Sequence, residues 1–411
     1  MNQLSHHDYV IFFFSIGLVL LMSRVLAEWG RRYKLPIVMG EIVVGIVLGP
    51  TVFGSIWPDG QKMFFPETGN IAIAMQALFQ LSVVLLLFVA GMEVQLPVVL
   101  KQGKLALFTS VTSMAIPFTI GFWISWFRPH FFQRPDGEAA LVFSLFFGTA
   151  LAISALPVIA RILMDIKLYK TKIGMLIIAS AMFNDLLGWL IFSVVLALME
   201  NRGVGVDLGL TILYIVLFGA FMLTIGRKLL GHFLPFIQTK LSWPGGVLSI
   251  SLGLCLFCAA LTEFIGIHAI LGAFIMGIAL GDSVHLHERA REILHQFVTN
   301  IFAPLFFVSI GLHVNFVLHF SPLLMLVVLL IASTTKIIGA TLGAFMGGLD
   351  FRSSLAVGMG MNARGAMEII LSTLAFHAGI ISAELFVALV VMALITSLAS
   401  GPSMKRILKM E

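Results

Sequence analysis

The segment IIASAMFNDLLGWLIF, residues 177–192, places one aspartate, Asp185, in the middle of a long apolar run. The run extends over residues 172–199, and a helix needs about 20 mainly apolar residues to cross the hydrocarbon core of a bilayer. A charged side chain at the centre of such a helix costs roughly 2.5–3.5 kcal/mol on insertion scales. The segment therefore predicts a membrane-spanning helix with a carboxyl group that lipid alone would not tolerate.

The rest of the chain has the same apolar character. Of its 411 residues, 59% are hydrophobic and 11% are charged, and the mean hydropathy is +1.05. A soluble domain carries about a quarter charged residues. The apolar runs are continuous rather than alternating, which excludes a transmembrane β-barrel. We expect an all-α polytopic membrane protein with about 13 membrane-spanning helices.

Basic residues are distributed unevenly over the predicted loops. With the N-terminus outside, the inner loops and the tail carry eighteen of the 25 Lys and Arg residues, and the outer loops carry four. Cytoplasmic loops of membrane proteins have this excess of basic residues. We therefore expect an integral protein of the cell membrane (plasma or inner membrane), with its N-terminus outside and its C-terminus in the cytoplasm.

Two glycine-rich segments in different halves of the chain resemble each other. Residues 39–49 are MGEIVVGIVLG and residues 271–281 are LGAFIMGIALG, so that three glycines align. The segments lie in the second and ninth predicted spans, and this offset of seven gives the second copy the opposite orientation. Secondary transporters are commonly built from inverted repeats of this kind.

The chain is accordingly predicted to be one membrane domain of two inverted six-helix repeats. The predicted parts are repeat one (8–199), a linker helix (207–231), repeat two (244–402) and a short cytoplasmic tail (403–411). We expect no soluble regulatory domain in this chain.

Two of the predicted spans contain interruptions. Residues 148–163, GTALAISALPVIARIL, carry Ser154 and Pro157 in mid-span, and the segment GMGMNARGAMEII in residues 352–377 contains several glycines and an asparagine. Proline removes one backbone donor and frees carbonyl groups, which together with Thr149 and Ser154 are hard oxygen ligands suited to Na⁺ or K⁺. Broken helices at matching positions of two halves indicate a transport site near the middle of the membrane.

Asp185 has two interpretations. It is either a carboxyl group that only hydrogen-bonds to a neighbouring helix, or a carboxylate that binds a dehydrated cation or a proton, but not both at once. Burial favours the protonated form, whereas a nearby cation favours the ionised form. Such competition is the chemistry of an antiporter, and we predict that Asp185, with Asn184, Ser154 and Thr149, binds the transported cation and the proton.

Three further charged residues lie within predicted spans. Arg364 and Glu368 are one helical turn apart and can form an ion pair, which either braces a broken helix or takes part in transport. Lys336 either neutralises Asp185 when no cation is bound or is a fixed counter-charge to a helix C-terminus. The sequence leaves these alternatives open.

Seven blocks of the sequence resemble, in order and spacing, the monovalent cation:proton antiporter-2 family of sodium/hydrogen exchanger-type membrane domains. The SALPVIARIL block and the Asn184–Asp185 pair are most similar to its cation/proton exchanger branch. The blocks are GEIVVGIVLGPTVFG (40–54), LFVAGMEV (87–94), ISALPVIARIL (153–163), FNDLLGW (183–189), LGAFIMGIALG (271–281), FAPLFFVSIGL (302–312) and MNARGAMEIIL (361–371).

The resemblance implies a 13-helix fold with a dimerisation domain and a core domain that carries the ion site across the membrane. It also implies a homodimer, crossed unwound helices, and alternate binding of cation and proton at Asp185. Electrogenic members resemble one another in having two adjacent aspartates, whereas this chain has Asn184 in the first position. One carboxylate favours 1:1 exchange, although Lys336 matches the lysine of electrogenic relatives.

We therefore expect a secondary active antiporter that exchanges Na⁺ or K⁺ for protons. The expected partners are these ions, the lipid bilayer and a second copy of the chain; we expect no cofactor and no nucleic acid. The alternative is a cation channel or efflux pathway without obligatory proton exchange. An intramembrane enzyme is disfavoured, because it would need a Ser/His dyad or paired aspartates at facing depths.

Overall fold

The structure is a computed structural model that describes residues 5–32, 37–94, 103–137, 139–169, 171–200, 208–240, 245–281, 283, 286 and 288–409. The first half of the chain forms α1 (His6–Arg32), α2 (Ile37–Leu48), α3 (Phe53–Ile56), α4 (Pro58–Phe64), α5 (Asn70–Glu93), α6 (Gly103–Phe127), α7 (Ala140–Ala152), α8 (Leu156–Asp165) and α9 (Lys172–Glu200).

The second half continues with helices of similar length. They are α10 (Leu208–Phe221), a π-helical turn (Met222–Gly226), α11 (Arg227–Lys240), α12 (Gly245–Phe264), α13 (Ala269–Gly281), α14 (Glu288–Phe297), a second π-helical turn (Val298–Phe302), α15 (Ala303–His313), α16 (Pro322–Met346), α17 (Phe351–Met361), α18 (Ala366–His377) and α19 (Ala383–Leu408).

The predicted all-helical membrane fold is confirmed. Within the described residues, eleven helical stretches are long and apolar enough to cross a membrane, and α13 and α18 are two shorter apolar helices. The number of thirteen spans stays a prediction, because length and composition alone do not decide whether a short helix crosses. The predicted linker helix continues to Lys240, and residues 403–408 of the predicted tail continue α19.

Both predicted interruptions are present. Residues 153–155 separate α7 from α8, and residues 362–365 separate α17 from α18. Pro157 lies in the first turn of α8. Backbone N–H groups in the first turn of a helix have no intrahelical acceptor, so the lack of an N–H in proline costs no hydrogen bond there. The break therefore precedes the proline, and Pro157 starts a half-helix rather than kinking a continuous one.

The helices divide into two compact units that each draw on both halves of the chain. Unit 1 comprises Met1–Gln95 and Asp207–Leu318, and unit 2 comprises Leu96–Val206 and His319–Glu411. Both interrupted spans and the aspartate-bearing helix α9 belong to unit 2.

Helix backbones touch through glycine at several places in unit 1, and two of these seams join a helix of the first half of the chain to one of the second. In the first, between α2 and α15, a Cβ added at Gly45 would overlap the Val308 carbonyl oxygen. In the second, between α13 and α5, a Cβ added at Gly277 would overlap the Phe88 carbonyl oxygen and lie 3.1 Å from the Gly91 Cα. Small residues permit this close approach, which membrane helices use because lipid supplies no hydrophobic drive for association.

A third seam joins α6 and α16 in unit 2. A Cβ added at Gly339 would lie 2.7 Å from the Thr112 carbonyl oxygen, and the Thr112 hydroxyl donates to the Gly339 carbonyl oxygen at 2.7 Å. This contact holds α16, which carries Lys336, against α6.

We predict that Gly277→Ala destabilises the protein by about 1–3 kcal/mol, because the new methyl group forces α13 and α5 apart. The measurement is the midpoint of thermal unfolding in detergent. Gly253→Ala is the matched control: Gly253 also lies within a helix of unit 1, and an added Cβ meets no atom within 4 Å. Equal unfolding midpoints for the two variants would contradict a packed glycine seam.

Candidate functional site

The unwound segments of unit 2 cross each other and are joined by hydrogen bonds. The Ala155 N–H donates to the Ala363 carbonyl oxygen at 3.1 Å. The Ser154 hydroxyl donates to the Met361 carbonyl oxygen at 2.9 Å. The C-terminal ends of α7 and α17 and the N-terminal ends of α8 and α18 therefore lie close together. Two negative and two positive helix ends meet inside the unit, away from water.

Cationic side chains donate hydrogen bonds to the backbone carbonyl groups at the end of α7. Arg364 donates through Nη1 to the Ala150 oxygen at 2.7 Å and through Nη2 to the Leu151 oxygen at 2.6 Å. Lys336 Nζ donates to the Ala152 oxygen. The last carbonyls of a helix lack intrahelical partners, and burial makes leaving them unpaired costly. The carbonyls expected to be free as cation ligands are, at these three residues, already bonded to side-chain cations.

Arg364 also links α7 to three other helices. Its Nη1 lies 3.2 Å from Glu368 Oε2, with both side chains almost completely buried. Nη2 lies 3.4 Å from the Ala332 oxygen of α16, and the Arg364 carbonyl oxygen accepts from the Ser397 hydroxyl of α19. Glu368 lies in the first turn of α18, where a negative charge is favourable. Of the two interpretations of this ion pair, these contacts favour the one in which it stabilises the interrupted helix.

Lys336 belongs to a second buried network, around Asn184. In the amide orientation that satisfies every neighbour, the Asn184 oxygen accepts from Lys336 Nζ at 3.0 Å and from the Ser113 hydroxyl at 2.9 Å, and its nitrogen donates to the Ser110 oxygen at 3.1 Å. The ammonium group also interacts electrostatically with Asp185. Lys336 is thus bonded both to the end of α7 and to Asn184, the residue next to Asp185, an arrangement that favours the fixed counter-charge over a mobile partner of Asp185.

Asp185 is 1% exposed and lies in the middle of α9. Gly188, one turn further along the same helix face, packs so closely on residue 153 that an added Cβ would lie 2.5 Å from Ile153 Cγ1. Residues three apart in a helix share a face, so Asp185 is on the side of α9 that faces the first unwound segment.

Of the four residues predicted to bind the ions, Asn184, Asp185 and Ser154 lie around the crossing. Thr149 is also buried, one turn before the end of α7, and its hydroxyl donates to the Leu145 oxygen of its own helix at 2.6 Å. Sequence reasoning missed Ser110, Ser113 and Ser397. The Ser- and Thr-rich stretch FTSVTSM at residues 108–114 was the available signal for the first two.

An all-helical membrane fold with buried charges at a crossing of two interrupted helices is typical of ion-coupled secondary transporters. A profile described as "Sodium/hydrogen exchanger, transmembrane" matches residues 11–410. Since the match covers nearly the whole chain, the protein belongs to the sodium/hydrogen exchanger family, as the sequence motifs predicted.

Similar proteins include bacterial and fungal antiporters. The chain is 30% identical over 397 residues to the Na⁺/H⁺ antiporter NhaS4 of Synechocystis, covering 96% of each protein. It is 29% identical over 405 residues to K⁺/H⁺ antiporter 1 of Saccharomyces cerevisiae, covering 95% of this chain but only 46% of the yeast protein. The solved structure of the sodium proton antiporter MjNhaP1 of Methanocaldococcus jannaschii matches 98% of this chain and 99% of that one, with a TM-score of 0.68 and 16% identity. This structural likeness shows the shared fold.

We predict that Arg364→Lys lowers the free energy of unfolding by about 1–3 kcal/mol. A lysine ammonium group cannot replace the planar guanidinium group, whose two nitrogens donate to two adjacent carbonyl oxygens. Thermal unfolding in detergent measures the effect. Arg406→Lys, at an exposed position near the end of α19, is the control and should unfold like the wild type. If Arg364→Lys matched it, the guanidinium group would not brace the crossing.

Proposed function

We propose that this protein is a secondary active antiporter that exchanges a monovalent cation, Na⁺ or K⁺, for protons. The observation that carries the proposal is Asp185, a buried carboxyl group on the face of a membrane-spanning helix that packs on the unwound segment 153–155. The relatives named as Na⁺/H⁺ and K⁺/H⁺ antiporters, one of them matched over 96% of both chains, support the same activity.

The chemistry follows from the low dielectric around Asp185. Burying an ionised carboxylate costs free energy, and a bound cation or a covalently bound proton each lowers that cost. The cation and the proton therefore exclude each other at one carboxyl group. The proposed site comprises Asp185 and the neighbouring oxygen-bearing residues Asn184, Ser154 and Thr149.

The fixed charges around the site support 1:1 exchange. Lys336 and Arg364 are bonded to carbonyl groups at the end of α7, and Arg364 is also paired with Glu368. Their charges balance the negative helix end and Glu368. Asp185 is then the one group proposed to change its occupant during transport, so each cation is replaced by one proton and no net charge moves.

The glycine seams support the proposed inverted repeats of residues 8–199 and 244–402. Gly45 of α2 contacts Val308 of α15, three residues before Gly311; Gly277 of α13 contacts Phe88 of α5, three residues before Gly91. Each pair joins the second helix of one repeat to the third helix of the other. Moving each helix of the first contact by seven spans gives the helices of the second contact. The same shift of seven spans aligns the two glycine-rich segments.

The remaining parts of the proposal concern the surroundings of the protein. Its excess of basic residues in inner loops supports an N-terminus outside the cell and a C-terminus in the cytoplasm. We also propose a homodimer in the plasma or inner membrane, as the family resemblance implies. All of the proposed ion-binding and supporting residues belong to unit 2, which we propose as the ion-carrying unit.

We predict that Asp185→Asn abolishes cation/proton exchange in proteoliposomes while the protein still folds, because a neutral amide takes up neither ion. Exchange is followed with a pH-sensitive dye inside the vesicles after a cation gradient is imposed. Asp350→Asn is the matched control. Asp350 caps α17 through Ser353, whose hydrogen bonds lower the pKa of Asp350, and asparagine is an equally good helix cap.

Two outcomes would contradict the antiporter. Retained exchange in Asp185→Asn would remove the aspartate from the mechanism. Cation flux without proton counterflow in the wild type would indicate the channel alternative.

We predict that the initial exchange rate of the wild type does not change when a membrane potential of either sign is imposed with a K⁺ gradient and valinomycin, using Na⁺ or Li⁺ as the transported ion. One carboxyl group whose occupants carry equal charge moves no net charge. A rate that rises with one polarity and falls with the other would show that a second charge moves, and Lys336 would then be the first residue to test.

A further inference from the structure

Asn362 ends α17 at the crossing and carries a buried polar atom that the contacts described so far do not satisfy. Its backbone N–H donates to the Gly358 oxygen at 3.2 Å. The residue is 6% exposed, and its side-chain oxygen Oδ1 is buried with no hydrogen-bond partner in the described part of the chain. A buried acceptor without a partner loses the free energy of hydration, so such an atom in a folded protein calls for a ligand.

The charges around the two negative helix ends differ. The end of α7 is balanced by Arg364 and Lys336, as described above. At the end of α17, the described donors are all neutral: the Asn362 and Ala363 N–H groups bond the Gly358 and Gly360 oxygens, and the Ser154 hydroxyl bonds the Met361 oxygen. The partial negative charge of this helix end therefore attracts a cation toward Asn362.

Packing contacts connect the end of α17, which carries Asn362, to α9, which carries Asp185. A Cβ added at Gly360, two residues before Asn362, would lie 2.9 Å from Ile177 of α9. Eleven residues are close to three helical turns, so Ile177 and Gly188 lie on one face of α9, and Asp185 lies about 60–80° around the helix from both. This face contacts α17 near its end through Ile177 and the first unwound segment through Gly188. Asp185 lies between those contacts.

We infer that the Asn362 side-chain oxygen is a ligand of the transported cation, completing a site with Asp185. This inference rests on the antiporter function proposed above and adds a residue to its site. Monovalent cations such as Na⁺ and K⁺ bind hard oxygen ligands, and an amide oxygen binds them without carrying charge. Since the amide does not titrate, Asn362 contributes to cation affinity and selectivity but leaves proton binding to Asp185.

The experiment measures exchange rates in proteoliposomes as a function of Na⁺, K⁺ and Li⁺ concentration for the wild type, Asn362→Ala and Asn362→Ser. We expect Asn362→Ala to raise the cation concentration for half-maximal exchange by about tenfold, equivalent to roughly 1.4 kcal/mol of cation binding. The maximal rate and the proton concentration for half-maximal exchange should stay within about twofold. Asn362→Ser, which keeps a shorter oxygen ligand, should give an intermediate value and a changed preference among the three ions.

The control is Ser372→Ala, since Ser372 of α18 is also buried in unit 2 with an unbonded oxygen among the described contacts but is not part of the proposed site. It should leave cation affinity unchanged. Cation-dependent thermal stabilisation in detergent provides a second measurement: Asn362→Ala should lose most of the shift while unfolding at nearly the wild-type temperature without added cation.

An unchanged half-maximal cation concentration in Asn362→Ala, or a loss of maximal rate without a change in cation affinity, would overturn the inference. If Asn362→Ala does not fold, the serine variant decides by the same criteria. A failure of the antiporter function is distinguishable from these results: the wild type would then exchange no ions or pass cations without proton counterflow, or Asp185→Asn would remain active.

Discussion

Unit 2 depends on the pairing of three backbone carbonyl groups with two cationic side chains inside the membrane domain. When a membrane helix is interrupted, its last carbonyls lose their partners at a depth where water cannot replace them. Arg364 and Lys336 bond the carbonyls of Ala150, Leu151 and Ala152. Without these bonds the interruption of the α7–α8 span would be too costly, and there would be no unwound segment for α9 to face.

In the proposed mechanism, the same bonds limit which charges can change during transport. A buried cation that bonds a helix end is held in place, because removing it would leave the carbonyls unpaired. Glu368 is likewise occupied by Arg364. The charges of the site are therefore largely fixed, and the proposed exchange is confined to Asp185 and its neighbouring oxygen atoms. The two negative helix ends differ in their partners: the end of α7 is bonded to two cationic side chains, whereas the described donors at the end of α17 are neutral.

Unit 1 depends on a different constraint, the close contact of backbones at glycine. The seams between the two halves of the chain place α2 on α15 and α13 on α5 through carbonyl oxygens and glycine Cα atoms. Such contacts are rigid, since there is no side chain to adjust. Unit 2 combines seams of this type, such as the one between α6 and α16, with a buried polar network. The two units thus differ in what stabilises them, close packing in unit 1 and packing plus buried hydrogen bonds in unit 2.

The sequence by itself determined the membrane class, the approximate spans, the two interruptions and the prominence of Asp185, because the cost of placing polar groups in lipid is visible in any local window of hydropathy. It left the roles of Lys336 and Arg364 open. Only the tertiary structure identified their bonding partners, since Lys336 bonds a carbonyl 184 residues away and Arg364 one 214 residues away. Hydropathy reports how deep a residue lies but not which helix it meets. For this reason the network of Ser113 with Asn184, and the unbonded oxygen of Asn362, became apparent only when the two halves of the chain were folded together.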